Sequence, residues 1–323
     1  MIKEIFIAWT RYHQRTERLA QRLDTQVHFI YYGHQGRILQ APVRYLVQGW
    51  KTWRILRHER PELVFIQNPP IFCVLVVFIY ARCYRAKYVI DSHTGAFLSR
   101  RWNWTLWLHR MLSHKALMTI VHNKSQEKIV KGWGCPAFVL SDYPGPVSDG
   151  ERFVLDGQFN VAVVSSFAKD EPLDVVFEAA SRLPEVNFHV TGDSNRIASH
   201  LLAKKPDNCF LTGYLPYERY LGLLREVDVI IALTTRDHTL LSGAWEAISL
   251  GTPLITSDWP ILKDYFSLGT VHIPNTAEGV CRGVRKVQIE YFTLQQDILR
   301  LRDRLKYEWE LKFRELQDKL RSG

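Results

Sequence analysis

A regular alternation of short apolar segments with longer amphipathic ones is the feature that most restricts the fold of this chain. The first half contains five strand-like segments, EIFIAW, VHFIYY, ELVFIQ, KYVIDSH and ALMTIVHN, with helical patterns between them. Parallel strands need a crossover connection, which is usually a helix, so this alternation predicts a parallel sheet with helices on both faces.

The alternation pauses at residues 141–158, where the sequence SDYPGPVSDGERFVLDGQ has the Pro and Gly content of a linker. It then resumes with six more strand-like segments, NVAVVSS, VNFHVTG, NCFLTGY, VDVIIAL, TPLITS and TVHIP. We therefore predict an α/β protein with two doubly wound, Rossmann-like domains facing a cleft, at residues 1–145 and 157–285.

A long helix is predicted for residues 286–323. Its apolar residues recur at spacings of three and four, at Leu294, Ile298, Leu301, Leu305, Trp309, Phe313, Leu316 and Leu320. This stripe is typical of a helix that packs on a globular body. The alternative interpretation is a short coiled coil through which the protein forms an oligomer.

Positive charge is concentrated in the first half of the chain. Residues 1–140 contain 21 Lys and Arg against 7 Asp and Glu, and they hold seven of the ten Trp. Basic and aromatic residues together indicate an anionic partner, which could be a nucleic acid or a membrane surface. Because no nucleic-acid-reading motif is present, we expect no nucleic-acid partner.

Two basic segments rich in Trp are candidates for contact with an anionic membrane. The first, residues 44–60, contains Trp50 and Trp53; the second, residues 100–115, contains Trp102, Trp104 and Trp107. The alternative is that these rings pack in the core of the first domain with Arg outside. Because both segments belong to the basic half of the chain, we favour contact with an anionic membrane over packing in the core.

Other sequence features predict a cytoplasmic protein that lies, at most, peripherally on the cytosolic membrane face. The longest apolar run, Ile71 to Ala81, is shorter than the ~20 residues that cross a bilayer, and the N-terminus has no signal-peptide pattern. Five dispersed Cys without metal-binding spacing indicate reduced, buried thiols.

In doubly wound sheets, ligands bind beyond the carboxyl ends of the strands. In the first domain this rule selects Asp91 and His93, which are two residues apart and therefore lie on the same face of the strand. An imidazole can accept a proton from an attacking hydroxyl, and Asp91 could be a base itself or orient a neighbour. In the second domain, Ser242 and Gly243 are predicted to begin a helix whose N–H groups bind a diphosphate.

A set of motifs along nearly the whole chain resembles GT-B glycosyltransferases. In order, the motifs are FIQNPP, VIDSHTGAF, VVSSFAKDEPLDVVFEAASRLP, FHVTGD, FLTGYLPYERYLGLLREVDVIIAL and SGAWEAISLGTPLI. The last is similar to the retaining nucleotide-sugar glycosyltransferase family, while QNPP and VSSFAKDE resemble the dolichol-linked chitobiose mannosyltransferase. The resemblance implies transfer of a hexose from a nucleotide-sugar to a membrane-associated, polyprenyl-diphosphate-linked saccharide in glycan or polysaccharide assembly, with no metal cofactor.

The resemblance also implies roles for particular residues. Glu246 would bind the ribose hydroxyls of the donor, against the alternative of a helix-stabilising first-turn acid. Lys169 would neutralise donor phosphate, Tyr214 would lie near the base, and His93 would contact the transferred sugar or act as the base. The predicted donor-binding residues are Ser166, Lys169, Gly192, Tyr214, Ser242, Gly243 and Glu246.

Two departures from the family leave the mechanism open. The family has a Glu seven residues before the ribose Glu, where this chain has Thr239. A glycine loop after the first strand is replaced by RYHQRTER, whose Arg11 and Arg15 would suit an acceptor diphosphate. A non-catalytic GT-B partner subunit and a nucleotide-sugar epimerase are therefore alternatives to a transferase.

Overall fold

The computed structural model describes residues 3–33, 40–145, 148, 150–157 and 159–322. It divides into two compact units. Unit 1 is Met1–Tyr143 with Trp309–Gly323, and unit 2 is Pro144–Glu308. The linker predicted at residues 141–158 spans the boundary between the units, and its residues 146, 147, 149 and 158 lie outside the described residues.

Unit 1 contains a six-stranded parallel sheet in the order β2-β1-β3-β4-β5-β6. Its strands are β1 (Glu4–Ala8), β2 (Gln26–Phe29), β3 (Leu63–Asn68), β4 (Lys87–Ser92), β5 (Met118–Val121) and β6 (Ala137–Val139). Its helices are α1 (Gln14–Arg22), α2 (Ala41–Glu59), α3 (Ile71–Tyr84), α4 (Thr94–Leu98), α5 (Leu106–Ser113) and α6 (Lys124–Gly132). Every residue of β3 is buried, as expected for a central strand of a sheet covered on both faces.

Unit 2 contains a second six-stranded parallel sheet, in the order β12-β11-β10-β7-β8-β9. Its strands are β7 (Phe159–Val163), β8 (Val186–Thr191), β9 (Cys209–Gly213), β10 (Val229–Ala232), β11 (Leu254–Ser257) and β12 (Thr270–Ile273). Its helices are α7 (Leu173–Ser181), α8 (Ser199–Leu202), α9 (Tyr217–Glu226), α10 (Ser242–Leu250), α11 (Pro260–Tyr265) and α12 (Ala277–Ser322). The predicted fold class, α/β with two Rossmann-like domains and a long C-terminal helix, is confirmed.

Helix α12 begins before the residue at which the sequence pattern placed it, and it contributes to both units. Its backbone departs from helical geometry at Glu290, where φ is −105° and ψ is 16°. Leu294, Ile298 and Leu301 of its apolar stripe are buried in unit 2, and Trp309, Phe313 and Leu316 are buried in unit 1. The stripe thus packs within the chain. An oligomer through this helix would use its other residues and stays a prediction.

Three local features differ from the sequence-based expectations. The strand β6, only three residues long, was not predicted. The Trp/Arg-rich segment at residues 100–115, whose composition predicts a single helix, is instead a 3-10 turn at Asn103–Thr105 followed by α5. Cys83 is exposed on α3, so the prediction of buried thiols is wrong for this residue and right for the other four.

No helix of the described residues is long and apolar enough to span a membrane.

We predict that Trp309→Ala destabilises unit 1. The Trp309 ring is 3% exposed and stacks on Phe313, and its Nε1 donates a hydrogen bond of 3.0 Å to the Ser141 carbonyl. Truncating a buried aromatic ring costs about 3–5 kcal/mol, which chemical unfolding followed by circular dichroism would show as a lower midpoint. Leu311→Ala on the same helix is the control, because Leu311 is 47% exposed. Equal midpoints for the two variants would contradict the assigned packing.

Candidate functional site

In each sheet, successive strands are added first on one side of the starting strand and then on its other side, so the strand order has one reversal point. In unit 1 the reversal lies between β1 and β3, and in unit 2 it lies between β7 and β10. At such points the loops leave the carboxyl ends of adjacent strands in opposite directions and open a crevice, which is where ligands of doubly wound folds bind. The candidate residues of each unit are therefore considered around its own reversal point.

In unit 1, the expected pair of His93 and Asp91 is brought together at the end of β4. Asp91 is fully buried, and its Oδ2 lies 3.0 Å from Nε2 of His93. Burial alone would raise the pKa of Asp91, but the charge of Arg15 and the hydrogen bond from His93 outweigh it and hold the pKa well below its usual range. The ionised carboxylate can only accept a hydrogen bond, so Nε2 of His93 carries the N–H and Nδ1 is left as the basic nitrogen.

The expected role of Arg15 at an acceptor diphosphate needs correction. Arg15 is only 8% exposed, and its Nη1 donates to Oδ1 of Asp142 over 2.7 Å. Its Nη2 donates to Oδ1 of Asp91 over 3.2 Å and to the Leu140 carbonyl over 2.8 Å. A buried cation must be matched by carboxylates to offset its desolvation. Arg15 therefore holds two internal carboxylates together instead of presenting its guanidinium to a ligand.

Two further imidazoles lie against His93, one in the loop after β1 and one directly after β5, and the rule that ligands bind beyond the carboxyl ends of strands also points to these positions. The ring centroids of His13 and His122 lie 4.6 Å and 4.7 Å from that of His93. Burial, reinforced by His93, lowers the pKa of His13 to about 3, and burial lowers the pKa of His122 well below its usual range. Both imidazoles are therefore neutral near pH 7, which leaves the Arg15–carboxylate group as the fixed charge of the site.

The same cluster offers ligand atoms for a metal ion. One ligand atom each from Asp91, His93 and His122 lies within 4.8 Å of the other two. Two imidazoles and a carboxylate suit zinc and similar divalent ions. However, Arg15 shares the Asp91 carboxylate, and its positive charge opposes a bound cation.

In unit 2, the start of α10 lies against the chain that leaves β7. The helix begins at Ser242, as predicted, and no side chain caps it. The first N–H groups of a helix have no carbonyl within the helix to bond, so they are available to an anion. A Cβ on Gly243 would lie 2.8 Å from the Val164 side chain. Glycine at this position thus allows α10 to approach the end of β7 closely.

The loop after β7 is organised by Glu171, which was not identified from the sequence because it resembles an ordinary acid before a helix. Its carboxylate accepts hydrogen bonds from the hydroxyls of Ser165 and Ser166 at 2.8 and 2.9 Å. It also accepts from the backbone N–H groups of Ser166 and Ala168 at 2.8 and 3.1 Å. Ser166 is therefore engaged within the loop, while Lys169 on the same loop is exposed.

Gly192, at the end of β8, lies next to this loop. Its φ is 118°, and a Cβ there would lie 2.4 Å from the Ser165 carbonyl oxygen. Both the backbone angle and the close approach require glycine. The loops after β7 and β8 are thereby held in contact, together with the start of α10.

Glu246 lies one turn into α10 and is 8% exposed. The hydroxyl of Tyr220, on α9, donates a hydrogen bond to its Oε2. Burial and the neighbouring Glu246 raise the pKa of Tyr220 well above its usual value, so the phenol remains a donor. Tyr214, in contrast, is 84% exposed after the edge strand β9, and half-buried Thr239 occupies the loop that leads to α10.

The tryptophans expected at a membrane fall into two groups. Trp50, Trp104 and Trp107 are 57%, 62% and 66% exposed. Trp102 is only 9% exposed, and Trp53 packs edge-on against Tyr80 at 6.2 Å. The membrane interpretation must therefore be corrected for Trp102, which is buried in the core, and weakened for Trp53, which is half-buried and packs against that core.

The other loop arginine expected at the acceptor, Arg11, lies near the surface of unit 1. Its guanidinium carbon lies 4.5 Å from the centroid of the Tyr31 ring, within the range of a cation–π contact. Unlike Arg15, Arg11 is exposed, so it can still meet an anion.

Residues 151–292 match the model of the family described as glycosyl transferases group 1. The match covers most of unit 2, including α10 and the loop after β7. No curated protein sequence matches the chain.

Several solved structures share the fold of the whole chain. HepE of Anabaena, solved with UDP and glucose, has a TM-score of 0.76 at 12% identity and covers 100% of both chains. Sucrose-phosphate synthase of Thermosynechococcus elongatus has a TM-score of 0.73 at 12% identity, covering 99% of this chain and 88% of that one. An epimerase-like protein of Listeria monocytogenes, described as a UDP-N-acetylglucosamine 2-epimerase, has a TM-score of 0.62 at 12% identity, with 91% of each chain covered.

These findings confirm the resemblance to GT-B glycosyltransferases. The more specific resemblance to the dolichol-linked chitobiose mannosyltransferase stays a prediction.

We predict that the stability of unit 1 depends on pH through its buried imidazoles. Burial lowers the pKa of both His13 and His109 to about 3. The unfolded chain protonates these groups near pH 6.5 and the folded chain does not, so stability is full above about pH 6.5 and falls as the pH drops towards 3. Each imidazole contributes a slope of up to about 1.4 kcal/mol per pH unit in this range.

The measurement is chemical unfolding of the wild type and of His109→Gln between pH 7 and 4.5. The variant should show a shallower loss of stability because it lacks one buried group that the unfolded chain protonates. A variant curve parallel to that of the wild type would contradict the prediction.

Proposed function

We propose that this chain is a GT-B glycosyltransferase that takes its sugar from a nucleotide-sugar bound by unit 2 and transfers it to a membrane-associated saccharide acceptor bound by unit 1. The observation that carries the proposal is the reversal point of unit 2, where the uncapped start of α10, the β7 loop and buried Glu246 come together. The match of this unit to glycosyl transferases group 1 supports it, as does the shared fold of HepE, which was solved with UDP-glucose.

The chemistry of a nucleotide-sugar fits the groups around α10. The N–H groups at Ser242 and Gly243 would bind the diphosphate, and exposed Lys169 would balance its remaining charge. The carboxylate of Glu246 would accept hydrogen bonds from the ribose hydroxyls, and its bond from Tyr220 holds it in one orientation. These groups would also stabilise the leaving nucleoside diphosphate without a metal. Gly192 and Ser166 would shape the adjacent loop, and Tyr214 would cover the base.

His93 is proposed as the base that activates the acceptor. Its Nδ1 would take the proton from an acceptor hydroxyl while that oxygen bonds to the anomeric carbon and the bond to the diphosphate oxygen breaks. Asp91 would hold the imidazole in the required tautomer and stabilise the imidazolium that forms, through the 3.0 Å contact with Nε2. Asp91 is thereby a positioning residue, since the carboxylate is fully buried.

A polyprenyl-diphosphate-linked saccharide at the cytosolic membrane face is the proposed acceptor. The strongly basic first half of the chain and the exposed rings of Trp50, Trp104 and Trp107 suit an anionic interface. Arg11, which is exposed, is the loop cation available to a diphosphate. An enzyme with these contacts would act in glycan or polysaccharide assembly.

We predict that Glu246→Gln weakens nucleotide binding by about ten- to a hundredfold, because charge-assisted hydrogen bonds to the ribose become neutral ones. Isothermal titration with UDP, GDP and ADP measures the effect and identifies the base. Glu226→Gln is the control, since Glu226 is exposed on α9. Unchanged nucleotide affinity in Glu246→Gln would exclude Glu246 as the residue that binds the ribose. A wild type that binds none of the nucleotides would instead favour a non-catalytic partner subunit.

We predict that His93→Ala lowers kcat by about a hundred- to a thousandfold while nucleotide affinity is preserved, because unit 2 is untouched. Transfer is measured with the nucleotide-sugar chosen from the titration and a lipid extract as acceptor source. His114→Gln, an exposed imidazole of the same unit, is the control. Wild-type kcat in the His93 variant would exclude it as the base, and conversion of the donor sugar without any acceptor would indicate an epimerase.

A further inference from the structure

A cavity of about 200 Å³ opens within unit 1 at the reversal point between β1 and β3. Its lining includes Trp9, Tyr45, Gln67, Pro69, Arg101 and Trp102. We propose that this cavity is an acceptor subsite that binds one sugar ring carrying an anionic group, either a phosphate or a carboxylate. The proposal rests on the proposed transferase function and adds the chemical class of its acceptor.

The aromatic wall fits the ring of a sugar. Trp9 is 4% exposed and stacks on Tyr45 with ring centroids 6.0 Å apart, and Tyr45 lies 6.5 Å from Trp102. Aromatic faces attract the C–H groups of a sugar ring by dispersion, and their burial fixes their orientation before the ligand arrives. This volume is smaller than the ~300 Å³ of ordinary small-molecule sites, so one ring fits and a longer chain must extend outside.

One polar side chain of the cavity lining has an atom without a partner among the described residues. Gln67 is 6% exposed, and among the described residues its Oε1 has no hydrogen-bond partner. Leaving a buried acceptor unsatisfied is unfavourable, and a sugar hydroxyl is a donor that would satisfy it. The Nε1 donor of Trp9 is already engaged with Thr52 at 2.8 Å, so Trp9 contributes its ring to the cavity, whereas Gln67 is a lining residue with an unbonded acceptor.

The charges of the lining select an anion. Two guanidinium groups, of buried Arg44 and exposed Arg101, belong to the lining, and no described lining residue is acidic. Nη2 of Arg101 lies 3.5 Å from the hydroxyl of Tyr45, which places this cation beside the aromatic wall. Guanidinium groups bind phosphate and carboxylate through paired N–H donors.

The cavity adjoins the proposed base. Gln67 of β3 pairs with Asp91 of β4, and the backbone N–H of His93 donates to the Asn68 carbonyl over 2.8 Å. Pro69, which also lines the cavity, lies beside Gly95 in the first turn of α4. A ring bound against Gln67 is therefore next to His93, the group that would deprotonate one of its hydroxyls.

The test titrates the full-length protein with four small probes under ligand-observed NMR. Glucose 1-phosphate and methyl glucuronide represent the two anionic classes, methyl glucoside is the neutral sugar, and inorganic phosphate is the anion without a ring. The variants are Gln67→Leu, which keeps the side-chain volume, and Arg101→Gln, which changes an exposed residue. Arg82→Gln is the control, because Arg82 is an exposed arginine of α3 outside the cavity lining.

At least one anionic sugar should bind about tenfold more tightly than methyl glucoside and inorganic phosphate. Arg101→Gln should remove most of that preference, Gln67→Leu should weaken both sugars, and Arg82→Gln should behave as the wild type. Which anionic probe binds identifies the acceptor group as phosphate or carboxylate. Equal binding of methyl glucoside, equal binding of phosphate alone, or insensitivity to both lining variants would overturn the proposal.

The nucleotide titration keeps this result separate from the proposed function. If the protein binds no nucleotide but still prefers an anionic sugar, the transferase proposal fails and the cavity assignment stands. If nucleotides bind and transfer occurs while no probe prefers the cavity, only the acceptor subsite is wrong.

Discussion

The buried guanidinium of Arg15 is the interaction on which the candidate site of unit 1 depends. It joins α1 to Asp91 at the end of β4 and to Asp142 after β6, over 3.2 and 2.7 Å. Without this cation, two carboxylates would face each other in a buried environment, and Asp91 would take up a proton to relieve the desolvation. A protonated Asp91 would no longer fix the tautomer of His93. The charge state of the site is thus set by a residue that need not touch a ligand.

Unit 2 uses a carboxylate for the corresponding purpose. Glu171 gathers the hydroxyl and backbone donors of the loop after β7, while glycines at 192 and 243 allow the neighbouring segments to approach it closely. The resulting contact brings the loops after β7 and β8 to the start of α10. The donor chemistry proposed for Glu246 and Lys169 therefore relies on the internal hydrogen bonds of Glu171 and on the close approach that glycine allows at 192 and 243.

The sequence predicted the fold well because strand–helix alternation is a local signal repeated along the chain. All six strands of unit 2 and five of the six in unit 1 gave apolar segments long enough to be recognised. The three-residue β6 did not, since so short a run has no detectable period. The rule that ligands bind at the carboxyl ends of strands also predicted the adjacency of Asp91 and His93, which lie on one strand end.

Long-range pairings could not be predicted in the same way. The bonds from Arg15 to Asp142 and from Tyr220 to Glu246 join residues far apart in sequence, and no local pattern distinguishes them from surface polar residues. The basic Trp-rich segments show the same limit. Trp50 and Trp53 lie three residues apart on α2, yet one is exposed and the other packs on Tyr80. Periodicity locates a helix face, but the neighbouring elements determine which part of that face they cover.

The replacement of the family's glycine loop by RYHQRTER acquires a physical explanation from these pairings. His13 caps α1 by accepting a hydrogen bond from the N–H of Thr16 at 3.4 Å, and Arg15 on the first turn points inward to Asp91. A glycine loop leaves its backbone open to a ligand, whereas this loop delivers an imidazole and a cation to the end of the sheet. The departure therefore exchanges a backbone-lined surface for side chains. Arg15 keeps Asp91 ionised, and the imidazole of His13 lies against the ring of His93.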